Sequence, residues 1–525
     1  MEGSQAHDKD TRMLHALGYA QELRRGMGGF SNFAISFTII SILSGTLTLY
    51  YLGLGYGGPV MEAYGWPIVS VFVLIVGLGM AEIASKYPTA GGLYFWSSKM
   101  GGPAWGWFTG WFNLIGQIAI TAGIDYGAAT FTDALLQLLW PGTFKGTAHE
   151  VIYVYAVILA LHVALNVLSV KLVAFLNDVS VWWHVGGVLI IVGVLIFAPD
   201  HHQSVSTVFT HTINNSGWGH GWLWFVLLLG LLQAQYTYTG YDASAHMSEE
   251  TRDASRAAAR GVIGSIAVSA VFGYILALAV TFAIQSFDKT LGAGTFAVKQ
   301  VFLDSLGTTT AKILLFITVV AQFYCGMSSI TSASRMLYAF SRDRAVPGHQ
   351  FWRRLNHERV PYLAAVAIAV MAFLCAFPAY FGTNGFIAYA AVTSVATIGL
   401  YIAYAIPIYL RLRAGDSWEP GEWNLGKWYK PIGWIAVVWV VFISILFVLP
   451  TNPGGVPWHT NKFDWKLFNY APVAIGGTLL LVGGWWLLSA RHWFEGPIAQ
   501  GTADELARIE AKYDGSEARP APTQA

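Results

Sequence analysis

The chain has 525 residues, of which 55% are hydrophobic and only 11% are charged, and its mean hydropathy is +0.50. Because charged residues make up about 25% of an average soluble domain, this composition excludes a soluble protein and indicates a polytopic protein of the lipid bilayer. The formal net charge of +1 points to no nucleic-acid partner. The first thirty residues are polar and lack the apolar core of a cleavable signal peptide.

Twelve apolar segments follow one another along the chain, each near the length of about 20 residues that a helix needs to cross a bilayer. Two of them are longer than one crossing requires, and we expect these to include interfacial turns: the third and the eighth. The segments centre on 29–51, 66–86, 104–136, 150–169, 172–197, 221–247, 258–284, 309–340, 361–378, 385–410, 432–450 and 469–490.

The distribution of basic residues predicts the orientation. Twelve crossings place both termini on one side, and 24 of the 30 lysines and arginines fall on that side. The other six are Lys145, Lys289, Lys299, Lys312, Lys462 and Lys466. Because loops rich in Lys and Arg stay in the cytoplasm, we expect a cell-membrane protein with both termini cytoplasmic.

These crossings divide the chain into six parts. They are a cytoplasmic N-terminal segment (1–28), five crossings (29–197), an extracellular loop (198–220), five further crossings (221–410), two more crossings (411–490) and a cytoplasmic C-terminal tail (491–525). The end of the tail, 501–525, is rich in Ala, Glu and Pro and is expected to form a helical turn followed by disorder. The loop histidines His201, His202, His211 and His220 are irregularly spaced, which favours solvated side chains over a metal site.

The sixth segment contains the most informative stretch, 233–246, which is polar although it lies within a crossing. Only the apolar residues 222–232 precede it, too few to cross a bilayer alone. Polar side chains and a backbone loosened by glycine are tolerated at that depth only where they line a cavity or are buried in protein. A transporter binds its cargo in such a cavity.

Three tyrosines and one carboxylate in this stretch are candidate cargo ligands. Tyr236, Tyr238 and Tyr241 are suited to wall a pocket or to hold a cation against their faces, although packing is the commoner role of a single tyrosine. Asp242 is costly at this depth without a partner or water. It is therefore a candidate for binding an ammonium group or for acting as a proton-sensitive gate.

The first segment has a matching feature, because Gly45 lies between Ser44 and Thr46 near its middle. A helix break there would free backbone N–H groups suited to a carboxylate. A small-residue packing face is an equally good interpretation. In the third segment, Asn113 and Gln117 are further pocket candidates.

Two features are candidates for ion coupling. His184 lies 13 residues beyond Lys171, about 20 Å along a helix, so it is well inside the membrane and could carry a proton or be a neutral histidine bound to a neighbour. The eighth segment is rich in hydroxyls, among them Ser328 and Ser329, which can ligate Na⁺ or bind a neighbouring helix. No nucleophile motif, nucleotide-binding loop or metal-ligand cluster is visible, so we expect neither an enzyme nor a cofactor.

Three passages resemble the amino acid–polyamine–organocation (APC) superfamily, in its amino-acid/choline and GABA permease branch. They are Asn32-Phe-Ala-Ile-Ser-Phe-Thr-Ile-Ile-Ser-Ile-Leu-Ser-Gly-Thr46, Ala81-Glu-Ile-Ala-Ser-Lys-Tyr-Pro-Thr-Ala-Gly-Gly-Leu-Tyr-Phe-Trp96 and Ala333-Ser-Arg-Met-Leu-Tyr-Ala-Phe-Ser-Arg-Asp-Arg-Ala-Val-Pro347. The resemblance implies an all-α membrane protein of twelve transmembrane helices with the LeuT-like fold. Spans 1–5 and 6–10 would then be inverted repeats, with helices 1 and 6 unwound at the central site.

The same resemblance assigns roles to residues. Segment 43–45 matches the turn that takes the substrate carboxylate in relatives, Tyr236 matches an aromatic gate, and Thr239 with Gly240 matches the turn that receives the amino group. His184 falls where proton-coupled relatives carry a lysine. Ser328 and Ser329 fall where sodium-coupled relatives place a Thr/Ser pair.

We therefore expect a secondary active transporter that takes up an amino acid or a GABA-like ω-amino acid, with H⁺ rather than Na⁺ as the coupling ion. The alternatives are a choline or polyamine permease, an amino-acid exchanger, and a sensor that binds amino acids without moving them. The sequence defines neither the particular cargo nor the oligomeric state.

Overall fold

The computed structural model describes residues 2–380, 385–459 and 463–514. Within these ranges the chain forms helices and contains no β-strand. The end of the tail, from residue 515 onward, lies outside the described residues, and so does the disorder expected there.

Up to Thr210 the described residues form ten α-helices. In chain order they are α1 (Glu2–Ala16), α2 (Gly29–Ile40), α3 (Gly45–Thr48), α4 (Tyr50–Gly55), α5 (Trp66–Lys86), α6 (Gly92–Gly101), α7 (Pro103–Leu139), α8 (Ala148–Leu168), α9 (Val170–Phe197) and α10 (Val205–Thr210).

From Leu223 onward the described residues form twelve more α-helices. They are α11 (Leu223–Gly230), α12 (Leu232–Thr237), α13 (Ala243–His246), α14 (Ala254–Phe282), α15 (Phe287–Gly292), α16 (Ala297–Arg342), α17 (His349–Trp352), α18 (Tyr362–Ala376), α19 (Gly385–Ala414), α20 (Tyr429–Val448), α21 (Ala471–Leu488) and α22 (Ala503–Asp514).

Ten helices of the described residues are long and apolar enough to cross a membrane, and they fall on ten of the twelve predicted segments. The third segment is α7, which has the length but carries polar residues such as Asn113 and Gln117 along its course. The sixth segment is divided into α11, α12 and α13, none of which is long enough alone. The architecture is thus an all-α polytopic membrane protein.

The two segments predicted to be over-long differ in structure. Just before the eighth, at Gly307, a φ of 74° interrupts α16 and separates a short preceding helix from the crossing itself. The third contains no such turn. There the expectation of interfacial turns is wrong, because α7 runs unbroken for 37 residues from a proline at its first turn, a position where proline favours helix.

Two groups of helices pack around the broken segments. In one group, α14 packs against both α2 and α5. In the other, α7 packs against α8, α16 and α18, and α16 also packs against α9. The helix α19 lies along α7 and carries α20 on its other side. Segments α12 and α13 lie between these groups, where their side chains are buried.

Both terminal segments meet on one face of the molecule, which we call the termini face. His15 Nε2 lies 2.7 Å from Glu510 Oε1, and the same oxygen accepts a hydrogen bond from the Gln21 backbone. The side-chain oxygen of Gln500 accepts from the backbone N–H of Ala20 at 2.7 Å. Helix α22 is therefore bound to the N-terminal segment rather than free.

The buried carboxylate Asp343 joins this junction to the membrane helices. It accepts hydrogen bonds from the hydroxyls of Tyr19 and Tyr94 and from the backbone N–H of Ile498. Burial nevertheless raises the pKa of Asp343 to about 6, because removing the carboxylate from water penalises its charged form. The folded protein therefore binds this proton more tightly than the unfolded chain, in which the pKa is about 3.9.

A buried acid–base pair lies where α7, α8 and α16 meet. His162 Nδ1 is 3.2 Å from Asp125 Oδ1, and both side chains are fully buried. Gly326 of α16 faces this pair so closely that an added Cβ would overlap Asp125 Oδ1 and lie 2.6 Å from His162 Cε1.

The Asp343 junction predicts a pH dependence of stability. Because the folded pKa lies above the unfolded one, this group's contribution to stability is fully present below about pH 4 and is lost as the pH rises to about 6. Between about pH 5 and about pH 7 the loss should be about 1 kcal/mol. Thermal unfolding of the wild type and of Asp343→Asn at the two pH values measures it. The difference between the two proteins should change with pH, and a constant difference would contradict the assignment.

Because Gly326 lies so close to this buried pair, we expect alanine at this position to destabilise the protein, whereas alanine at an uncrowded glycine should not. Gly326→Ala should lower the unfolding free energy by about 1–3 kcal/mol, the usual cost of overpacking. The matched control is Gly186→Ala in α9, where an added Cβ meets nothing within 4 Å. That change should leave stability equal or slightly raised, since alanine favours helix. Equal melting temperatures for the two variants in the same detergent would refute the packing argument.

Candidate substrate site

The first membrane segment is interrupted near its middle, as the sequence predicts. Helix α2 ends at Ile40, and Ser41 adopts a left-handed conformation with φ 39° and ψ 80°. The helix resumes at Gly45. The backbone N–H groups of Ile42 and Leu43 donate no hydrogen bond to any of the described residues.

The sixth segment is interrupted at the corresponding depth. Helix α12 ends at Thr237, Gly240 has a φ of 90°, and α13 begins at Ala243. The backbone N–H groups of Tyr241 and Asp242 have no acceptor within the described part of the chain. A positive φ is readily available to glycine, which explains why the turn forms at this residue.

The two interruptions face each other. A Cβ added to Gly45 would lie 2.6 Å from Thr237 Oγ1 and 2.9 Å from its Cα. A Cβ added to Gly240 would overlap the side chain of Ile39. The broken ends of the two segments are therefore in backbone-to-backbone contact, which a residue larger than glycine would prevent.

Asp242 is held by four side chains from three helices. Its Oδ2 accepts from Asn113 Nδ2 at 3.2 Å and from Gln117 Nε2 at 2.9 Å, and its Oδ1 accepts from the Tyr404 hydroxyl at 2.9 Å. His246 Nε2 lies 3.3 Å from the same Oδ2. The predicted residues Asn113 and Gln117 thus lie at the break, where they organise its carboxylate.

Tyr236 lies just before the second interruption, in a layer of aromatic residues. Its hydroxyl is so close to α7 that a Cβ added to Gly123 would be 2.6 Å away. The Tyr126 and Tyr389 rings lie 6.0 Å apart in the same region. All three side chains are buried.

Two predicted pocket residues point elsewhere. The hydroxyl of Tyr238 lies 2.6 Å from Ser70 Oγ, and its ring packs on Trp66 with centroids 5.0 Å apart. The hydroxyl of Thr239 donates to the backbone oxygen of Tyr236, which caps the end of α12. Tyr238 therefore packs against α5 and Thr239 stabilises the turn.

Ser44 and Thr46 lie on either side of Gly45, and both are buried. The backbone oxygen of Ser44 accepts from the Thr48 hydroxyl within the resumed helix. The hydroxyl of Thr46 and the side-chain oxygen of Asn113 have no hydrogen-bond partner in the described part of the chain. Buried polar atoms are normally paired, so these two are available to a polar ligand.

His184 reaches the first interruption directly. Its Nε2 lies 2.7 Å from the Ser41 hydroxyl, and its Nδ1 lies 2.8 Å from the backbone oxygen of Ser180. Because a carbonyl oxygen only accepts, the Nδ1 atom carries a hydrogen, whereas Nε2 accepts from the Ser41 hydroxyl in a neutral imidazole and donates to it in a protonated one. The imidazole thus holds the one residue of the break that has a left-handed backbone.

Ser328 and Ser329 bind different neighbours. The Ser328 hydroxyl donates to Asn177 Oδ1 at 2.6 Å, and the Ser329 hydroxyl lies 2.6 Å from that of Thr121. Each hydroxyl therefore joins α16 to an adjacent helix, which is the packing role weighed for them from the sequence.

Sequence reasoning missed two residues of this site, His246 and Tyr404. The spacing of His246, four residues after Asp242, was a usable signal, because residues at that spacing share a helix face. No pattern in a single sequence links Asp242 to Tyr404, which is 162 residues away. Among the described residues, no group of three or more His, Cys, Asp or Glu side chains is arranged to hold a metal ion.

Comparisons with known proteins agree on the kind of protein. Residues 27–479 match the family model described as amino acid permease. The chain is 41% identical to the amino-acid permease BAT1 of Arabidopsis thaliana over 93% of this chain and 96% of that protein. A BAT1 homolog of Oryza sativa subsp. japonica is 40% identical over 92% and 95%. The GABA-specific permease of Saccharomyces cerevisiae is 29% identical over 94% and 87%. The chain belongs to the amino acid permease family, a family of membrane transporters rather than enzymes.

Proposed function

We propose that this permease takes up an amino acid or a GABA-like ω-amino acid across the cell membrane by proton symport, with the termini face in the cytoplasm. The observation that carries the proposal is the pair of facing interruptions. They present four unsatisfied backbone N–H groups, at Ile42, Leu43, Tyr241 and Asp242, within the buried centre of the molecule.

A carboxylate is the cargo group that best fits such amides. Backbone N–H groups at a helix start bind anions through hydrogen bonds and the helix dipole. The unpartnered Thr46 hydroxyl is next to the first interruption and adds a donor. We therefore assign the carboxylate to the break at 41–45.

Asp242 distinguishes amino acids from amines lacking a carboxylate. A choline or polyamine site would use this residue as the counter-ion of the cation. Its two oxygens already receive donors from Asn113, Gln117 and Tyr404. Asp242 therefore serves as an organiser of the turn, which favours the amino-acid cargo over the amine cargo.

His184 supplies the proposed coupling to protons. Protonation would place a hydrogen on Nε2, and the Ser41 hydroxyl would then have to turn and accept instead of donate. Ser41 is the left-handed residue of the first interruption. A proton on His184 is thereby linked to the geometry of the carboxylate-binding turn.

The names of the relatives support the cargo class. The most similar of those described above are called amino-acid permeases, and the yeast relative is called GABA-specific. An obligate exchanger and a non-transporting sensor remain the competing functions, and both are distinguished by whether empty vesicles accumulate cargo.

A competition experiment tests the cargo. Proteoliposomes with an interior more alkaline than the medium should accumulate a radiolabelled amino acid without preloading. Unlabelled amino acids or GABA should compete, whereas choline and polyamines should not, since they offer no carboxylate to the free amides. Competition by choline alone would exclude the carboxylate-binding assignment. Uptake only into preloaded vesicles would identify an exchanger.

A substitution tests the coupling. His184→Gln should retain cargo binding and cargo exchange at equal pH on both sides, because glutamine can still hydrogen-bond Ser41. It should lose most of the accumulation driven by a pH gradient, because glutamine does not titrate. The matched control is His162→Gln, which removes a buried histidine that lies away from Ser41. Gradient-driven accumulation by His184→Gln equal to that of the wild type would sink the assignment.

A further inference from the structure

His246 links the second interruption to the loop between α5 and α6. Its Nδ1 lies 2.9 Å from the backbone oxygen of Ala90, and its Nε2 lies 3.3 Å from Asp242 Oδ2. The imidazole and the carboxylate are both fully buried. The histidine therefore has an acceptor at each end of its ring.

Counting hydrogens at these two contacts gives the protonation state. A carbonyl oxygen and a carboxylate oxygen both accept, whereas a neutral imidazole has one N–H donor and one lone pair. A neutral His246 beside an ionised Asp242 must direct that lone pair at either Ala90 or Asp242. Both contacts are satisfied only when the pair holds one additional proton, either as an imidazolium or on the carboxyl group.

We propose that the His246–Asp242 pair is a proton-binding site that closes the termini face when it is protonated and releases it when the proton leaves. The proposal rests on the transport function proposed above but assigns a second titrating site, distinct from His184. Loss of the proton would leave two facing lone pairs in a buried place, which is costly. One of the two contacts must then separate.

The loop that His246 holds is part of the closure of the termini face. The backbone N–H of Ala90 donates to Glu249 Oε1, and Glu249 is paired with Arg342 of α16. Ala90 is thus bound through its N–H by one residue of the sixth segment and through its oxygen by another. When His246 no longer binds the Ala90 oxygen, the loop is held less firmly to the sixth segment, while the Glu249–Arg342 ion pair stays intact.

Other titratable groups around the pair are accounted for. From α19 the tyrosines Tyr401 and Tyr404 face it, and Tyr404 donates to Asp242 Oδ1. From the same turn, Tyr241 lies against both of these rings. From α7 only the amides Asn113 and Gln117 reach the carboxylate. The nearby acids are already paired, Glu249 with Arg342 and Glu250 with Arg335.

The proposal predicts the side of the membrane on which the proton is released. After deprotonation the remaining imidazole N–H stays on Asp242, because a hydrogen bond to an ionised carboxylate is stronger than one to a neutral carbonyl, so the contact with Ala90 is the one that breaks. Transient separation of the loop admits water from the termini face, and this water accepts the proton. Loss of the proton then prevents the contact with Ala90 from forming again, so a proton carried with the cargo would be released on the termini face. The site therefore couples proton release to opening toward the side that we assign to the cytoplasm.

A cysteine next to the contact reports opening. Thr89 is fully buried beside Ala90, so Thr89→Cys in a Cys325→Ala, Cys375→Ala background should be protected from maleimide while the loop is closed. The full-length protein in lipid nanodiscs is labelled at about pH 5.5 and about pH 8, which bracket histidine titration. Each rate is divided by that of the same protein unfolded in detergent at the same pH, which removes the titration of the thiol itself.

The Asp242→Asn variant tests whether the His246–Asp242 pair acts by binding a proton or only by holding the structure together. Asparagine can donate an amide hydrogen to a neutral His246 whose other nitrogen donates to Ala90, and the amides of Asn113 and Gln117 can turn to present their oxygens to the new NH2 group, so both His246 contacts form without an added proton. Protection of the cysteine should fall about tenfold from the acidic to the alkaline pH in the parent protein, a typical coupling between sites. It should stay high at both pH values in Asp242→Asn. His246→Gln should remove the pH dependence as well, since glutamine does not titrate.

The control variant is His184→Gln, which should keep the pH-dependent protection even where it loses gradient-driven uptake. That pattern distinguishes failure of the gate from failure of proton symport, because labelling needs neither cargo nor gradient. Equal protection of the parent protein at both pH values overturns the proposal. So does a fall in Asp242→Asn as large as in the parent protein.

Discussion

The structure depends on one constraint, which is that backbone polar groups freed inside a bilayer must find partners within the protein. Both interrupted segments meet it with side chains from elsewhere. Ser36 donates to the backbone oxygen of Tyr241, Tyr401 donates to that of Tyr238, and the N–H of Gly240 reaches the Tyr404 hydroxyl. Carbonyl oxygens of the second break are thus largely satisfied, while N–H groups of both breaks are left over. We propose that this imbalance favours the binding of an anionic group.

The side chains that bind Asp242 come from outside the segment that carries it. Asp242 is carried by the sixth segment, but its ligands Asn113 and Gln117 come from α7 and Tyr404 comes from α19. A movement of the sixth segment relative to α7 and α19 must therefore change the hydrogen bonds of this carboxylate. Because a buried charge without partners is costly, the network favours a small number of discrete arrangements over a continuous range.

The sequence predicted where the two segments are interrupted, but it did not predict the direction in which the side chains point. Hydropathy located the polar stretch in the sixth segment, and Gly45 and Gly240 marked the turns, because backbone requirements are local. The sequence left the role of Tyr238 open between lining a pocket and packing, since its partner Ser70 is 168 residues away. Contacts over that distance depend on how helices pack, and one sequence contains no record of it. For the same reason the sequence did not predict the Asp125–His162 pair, whose members lie on α7 and α8.

The contact between α22 and the N-terminal segment has a consequence for biosynthesis. Glu510 binds His15, a residue 495 positions earlier in the chain. During translation the N-terminal segment must therefore wait, without this partner, until every membrane helix has been inserted. The junction on the termini face can therefore assemble only after Glu510 has been synthesised, later than the membrane helices that precede it.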